Sequence, residues 1–195
     1  RYADIRYVQT GIYLYRAFPE IAYTTVAHAN TGIYSNRGTA TFANNTLTTG
    51  YWSGITIECA DSTTVNISYN TISGFLNGVR IQNSNGSTIT VSNNNMSQLQ
   101  GHLGTYTGGV FVSDSASTLN IVNNTISDAR NTYYSGSGIY VSGSITSLTV
   151  SGNTLTNNDD GLWISTYDKP ITVSNNVISG NSRGIRLDLY SGASN

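Results

Sequence analysis

The chain has 195 residues, of which 10% are charged, and a formal net charge of −1. That balance leaves no broad basic surface for nucleic acid. No apolar run approaches the roughly 20 residues that a membrane-spanning helix requires. A lone cysteine, Cys59, excludes a disulfide framework.

Residues 1–38 carry two irregular copies of a repeat that becomes regular over 39–190. In the irregular copies Ile5, Tyr7, Ile12, Leu14, Ile21, Tyr23, Val26 and Ile33 are the expected inward positions, and Pro19 marks a turn between them. The regular copies read apolar-x-apolar, then Asn, then an apolar residue, then Gly followed by apolar-x-apolar. The Asn stands at 45, 70, 94, 124, 153 and 176. The Gly stands at 11, 32, 54, 78, 109, 138, 161 and 184, so successive copies are 21, 22, 24, 31, 29, 23 and 23 residues apart. Apolar residues two apart define strands and not helices. Short strands repeating at this interval, separated by Gly and Asn turns, predict an all-β solenoid of about eight coils within a single domain. Asn is expected to turn the corners and to hydrogen-bond from coil to coil along the axis. Residues 191–195 are expected to be a tail. Neither end shows a polar cap, which predicts that flanking domains or subunits cover the ends.

The two longest intervals come from insertions, Gln98 to Thr107 and Asp128 to Ser137, at one and the same corner. They are expected to project side by side. Insertions on one edge commonly build the binding face of a repeat protein.

Stacking the repeats also aligns the outward side chains. After each Gly the outward column runs Tyr13, Tyr34, Thr56, Arg80, Phe111, Tyr140, Trp163, Arg186. At the spacing of paired strands this is a ribbon roughly 35 Å long. Trp52, Tyr106, Tyr133 and Tyr134 lie at the adjoining corner. The outward column of the preceding strand is Thr41, Asn66, Thr90, Asn120, Thr149 and Thr172, uniformly small and polar. An exposed aromatic run interspersed with Arg suits stacking on sugar rings and pairing with acidic groups. Cross-rung packing of aromatics on strands gives the same pattern with no ligand. The expected substrate-binding residues are Trp163, Tyr140, Phe111, Arg80, Arg186, Tyr133 and Tyr134, and the expected partner is a polysaccharide.

Ten acidic residues leave few catalytic sets. Asp159 and Asp160 precede Gly161, with Asp128 one coil earlier. Carboxylates on adjacent or alternate rungs fall in the distance range used for glycoside cleavage. Calcium binding and pairing with Arg183 are the other uses of such a cluster. No other cofactor is expected. His28 and His102 lie in different coils without evident partners.

The recurrent Asn-x-apolar and Gly-apolar-x-apolar pattern resembles the right-handed parallel β-helix of pectate lyases, polygalacturonases and related carbohydrate-binding and sugar-hydrolysing repeats. Asn158-Asp159-Asp160-Gly161 is similar to the Asn-x-Asp-Asp segment of polygalacturonase-type hydrolases, which implies an acid and a water-activating base at Asp159 and Asp160. The chain departs from that family at Asn131-Thr132-Tyr133 and at Gly180-Asn181-Ser182-Arg183-Gly184, so no catalytic set is complete. The opening YADIRYVQTGIYLY resembles β-helix repeats of archaeal and bacterial surface proteins such as disaggregatases. These resemblances imply an extracellular or cell-surface module that recognises polysaccharide. The alternatives are a hydrolase or lyase domain in its own right and a structural assembly unit.

Overall fold

The computed structural model describes residues 3–58, 62–101, 105–115, 117–132, 134–167 and 169–190. Strands and turns account for them, and every strand pairing is parallel. The fold is a right-handed parallel β-helix with three faces. One face stacks seven strands from Glu20–Ala22 to Ile171–Ser174. The second is built from three-residue strands such as Thr71–Ser73 and Asn95–Ser97. The third stacks eight, one per coil, from Ala3–Tyr15 to Arg183–Tyr190. In the first two coils the second and third faces run together as unbroken 13-residue strands, Ala3–Tyr15 and Thr24–Asn36.

The alternation of each strand delivers its apolar residues to a common core, where Phe42, Leu47, Ile72, Ile81, Ile121 and Val150 have no exposed surface. Phe75, Leu99, Ala129 and Ile145 join that core from the turns, outside the strand pattern. Tyr7 and Tyr23 do not point inward as expected: they are 77% and 63% exposed. Both take positive φ, 57° and 55°, at corners where the chain swings outward. In the last coil Ile185 and Leu187, which face inward by pattern, are half exposed.

Two left-handed columns make the corners. The residue before each ladder Asn has positive φ: Asn44, Tyr69, Asn93, Asn123, Gly152 and Asn175. A second column, Tyr7, His28, Thr49, Gly74, Gln98, Asp128, Asn157 and Gly180, does the same after the short strand. The ladder Asn residues are thus not themselves the left-handed residues. Their role is hydrogen bonding. The Asn94 amide nitrogen donates to Ile67 O, Ser92 O and Asn124 Oδ1 at 2.9–3.0 Å. Asn94 Oδ1 accepts from the backbone N–H and the side-chain amide of Asn70, both at 2.9 Å. The same links join Asn45 to Asn70, Asn124 to Asn153, and Asn153 to Asn176. Each buried ladder amide therefore has its partners inside the stack.

The glycine near the start of the third-face strands is required by close approach from Gly11 to Gly161, though not at Gly184 in the last coil. A Cβ on Gly78 would lie 2.6 Å from the Gly109 carbonyl oxygen and from the Met96 sulfur. Coils pack backbone to backbone at this column, and a side chain would force them apart.

Replacing Asn94 by Ala leaves the buried Asn70 N–H and Ile67 carbonyl without partners. Denaturant unfolding is expected to show a loss of about 3 kcal/mol. Asn176→Ala, in a coil that water reaches, is expected to lose about 1 kcal/mol. Equal losses would mean that the ladder contributes nothing beyond its strands.

Candidate ligand-binding face

The third face aligns Tyr13, Tyr34, Thr56, Arg80, Phe111, Tyr140, Trp163 and Arg186 in one register, as the repeat spacing predicts. The middle of the column, from Phe111 to Trp163, is closed where an open aromatic run was expected, while Tyr13 at its start is 62% exposed. Phe111 and Trp163 are each only 8% exposed. Phe111 stacks on Tyr140 with ring centroids 5.0 Å apart, and Tyr140 meets Trp163 edge-on at 4.7 Å. Arg80 lies over the Phe111 ring at 5.3 Å and Arg186 over the Trp163 ring at 4.1 Å. Rings spaced at the strand interval find their best partners in one another, so their faces are used within the protein.

Beside the closed stretch, exposed aromatic area comes from residues just upstream of the coil glycines. Trp52, Tyr106 and Tyr134 are 41%, 38% and 46% exposed. Tyr106 lies parallel to Tyr140 at 5.5 Å, meets Trp163 edge-on at 5.7 Å, and carries Tyr134 against its other side at 5.1 Å. The two insertions do run side by side, joined by pairing of Gln100 with Arg130 and Gly101 with Asn131. Of the expected binding residues, Phe111, Tyr140, Trp163 and Arg186 thus stack on one another, Arg80 lies over Phe111 and lines a cleft, and Tyr134 lies at the surface. Tyr133 lies outside the described residues.

Two clefts flank this corner. One, of about 350 Å³, is lined by Gln100, Gly101, Arg130, Asn131, Thr132 and Asp159. The other, of about 280 Å³, lies over Thr56 between Tyr34 and Arg80. Neither cleft was marked out by the residue pattern. The signal was present in one case, since Thr56 is the only small side chain in an otherwise bulky column.

The three aspartates occupy separate roles. Asp160 has no exposed surface and both its oxygens are held by the Arg183 guanidinium, at 2.9 Å for Oδ2. This bond, more than any other influence, raises the Arg183 pKa above its usual value. Asp159 Oδ2 accepts the backbone N–H groups of Asn131 and Gly136, each at 2.8 Å, and so fixes the 131–136 insertion that carries Tyr134. Its other oxygen lies 3.9 Å from Arg130. Asp128 takes the left-handed corner position at φ 57°, a backbone task that Asp performs with little strain. Among the described residues no three His, Cys, Asp or Glu side chains come together to hold a metal ion, calcium included.

Arg183→Met strands the buried Asp160 carboxylate and is expected to cost roughly 3 kcal/mol in thermal or denaturant unfolding. Asp160→Asn leaves a half-exposed guanidinium that water can solvate, so the smaller loss is expected there. The reverse order would show that Arg183, not Asp160, is the group the fold depends on. Burial also raises the Tyr140 phenol. Its contribution is complete below the ordinary value of 10.0 and is lost as pH rises through the raised one. Tyr140→Phe is accordingly expected to flatten the fall in melting temperature above that pH.

No curated protein and no solved structure matches the chain. One family model does, over residues 2–194, and its description is "Periplasmic copper-binding protein (NosD)". The described residues do not fit copper. Met96 is sealed in the core, His28 is stacked on Tyr7 at 4.6 Å, and among the described residues no three His, Cys, Asp or Glu side chains come together. Cys59 and His102 lie outside the described residues. The fold and the span of the match agree nonetheless, and the chain belongs to the NosD family, a family of periplasmic β-helix proteins.

Proposed function

We propose that this chain is a saccharide-binding β-helix module acting outside the cytoplasm, in the periplasm or at the cell surface. The observation that carries the reading is the set of half-exposed aromatic side chains, Trp52, Tyr106 and Tyr134, on one corner beside two clefts. A sugar presents an apolar ring face and a rim of hydroxyls. Exposed aromatic rings beside Gln, Asn, Arg and Asp side chains answer both. The layer beneath, Phe111, Tyr140 and Trp163, holds Tyr106, and through it Tyr134, in place and lowers the entropy lost on binding. Flanking domains or subunits belong to the same reading, covering end residues such as Ile185, Leu187 and Leu189, each more than half exposed.

Catalysis has less support. Asp160 would have to leave Arg183 to meet a substrate, and Asp159 already uses one oxygen on two backbone N–H groups. Copper, which the family description names, has no donor set among the described residues and plays no part in the reading.

The test is retention of the protein on immobilised neutral and acidic polysaccharides, with soluble sugar as competitor. Trp52→Ala and Tyr134→Ala are each expected to weaken retention about 3- to 10-fold, the equivalent of one aromatic contact. Tyr7→Ala, on the far side of the first coil, is expected to leave it unchanged. Failure of every polysaccharide to retain the protein would overturn the reading. Release of new reducing ends, lost in Asp159→Asn, would replace it with a hydrolase.

A further inference from the structure

The third-face column contains one residue too small to continue its stack. Thr56 stands in register between Tyr34 and Arg80. The buried Ser53 and Thr56 floor the resulting notch, and Tyr34, Trp52, Arg80 and Gln82 wall it.

Arg80 is the cation of this notch, and among the described residues it has no direct counter-ion. Its Nε donates to the neutral Gln82 Oε1 at 3.0 Å. Among the described residues no carboxylate forms an ion pair with it. Glu58 is the acid whose charge reaches it, and Glu58 is engaged by the Tyr34 hydroxyl and the amides of Asn36 and Asn83. Burial depresses the Arg80 pKa, as expected for a half-buried cation short of a counter-charge.

The same molecule contains the neutralised version of this arrangement. Arg186, in the same column and also seated on an aromatic ring, donates through Nε to Asp188 Oδ2 at 3.0 Å. Asp188 occupies the register position that Gln82 occupies at the earlier rung, through Ser113, Ser142 and Ser165. Gln at that position keeps the orienting hydrogen bond and leaves the positive charge available. A second group nearby is also unsatisfied. Asn77, the rung neighbour of Ser53, is fully buried and neither atom of its amide has a hydrogen-bond partner.

We propose that the Thr56 notch is a subsite for an acidic saccharide unit, whose carboxylate pairs with Arg80 and whose ring lies against Trp52. It rests on the saccharide-binding reading above and names the chemistry of one sugar. With Nε committed to Gln82, the terminal nitrogens of Arg80 have no hydrogen-bond partner among the described residues and suit a planar two-oxygen acceptor.

Tryptophan fluorescence titrations at constant ionic strength test this, using methyl β-glucuronide, methyl β-glucoside and inorganic sulfate as probes. The first two differ only in the carboxylate. The glucuronide is expected to bind at least roughly tenfold more tightly than either other probe. Gln82→Asp, which copies the Arg186–Asp188 pair, is expected to cut glucuronide affinity roughly tenfold while the melting temperature holds. Arg80→Gln is expected to do the same. Equal affinity for glucuronide and glucoside, sulfate binding as tight as glucuronide, or undiminished binding by Gln82→Asp would each overturn the proposal. If glucoside and glucuronide bind the unsubstituted protein equally and Trp52→Ala abolishes both, saccharide binding stands and the acidic subsite falls. If no sugar binds at all, both fall.

Discussion

Parallel register is the constraint on which everything else here depends. Each coil lies on the next with the same residues opposed, and the Asn ladder reinforces that alignment from inside the corner. A one-residue slip would move every apolar side chain from core to solvent and break the amide chain together. Because slippage is so costly, a repeat position becomes a column, and chemistry written at one position in each repeat becomes a line along the molecule. The small, polar line of Thr41, Asn66, Thr90, Asn120, Thr149 and Thr172 and the bulky line from Tyr13 to Arg186 are two products of the same rule.

The rule also decides which aromatic rings face solvent. Side chains aligned at strand spacing are already at stacking distance from one another, so a column of rings tends to close on itself. Phe111 and Trp163 show this, each taken up by a neighbouring ring and a guanidinium. The open rings beside the closed stretch come from departures from the repeat. The insertion ending at Thr107 supplies Tyr106, the one clamped by Asp159 supplies Tyr134, and the turn before Ser53 supplies Trp52. Regular coils build the platform, and irregular segments present what a ligand could touch.

Most of the fold was legible because period-two apolar residues, ladder Asn and coil Gly leave little freedom in how the chain stacks. The eight-coil register, the ladder and the pairing of the two insertions all follow from counting residues between glycines. What was less legible was local. Tyr7 and Tyr23 look like core residues by spacing, yet each sits at a left-handed corner that turns it outward. Asp128 looks like a member of an acidic cluster, yet its column neighbours Gln98 and Asn157 mark it as a corner residue. Burial of the aromatic column could not be read because strand alternation says which side a residue faces, not what covers it. The clefts depend on side chains brought together from different rungs, such as Gln100, Arg130 and Asp159, which no single repeat displays. The family match adds the compartment of its members and leaves the ligand to the geometry of this chain.

The ladder has a direction. At every step the side-chain amide N–H of one Asn points toward the oxygen of the next Asn later in the chain, from Asn45 through Asn70, Asn94, Asn124 and Asn153 to Asn176. The amide dipoles therefore add head to tail, as peptide dipoles do in a helix, and they make the rod electrically polar along its axis. Such a rod is a vector. Turned end for end, it would present acceptor to acceptor or donor to donor, so any coil that extends the stack can join in one orientation only.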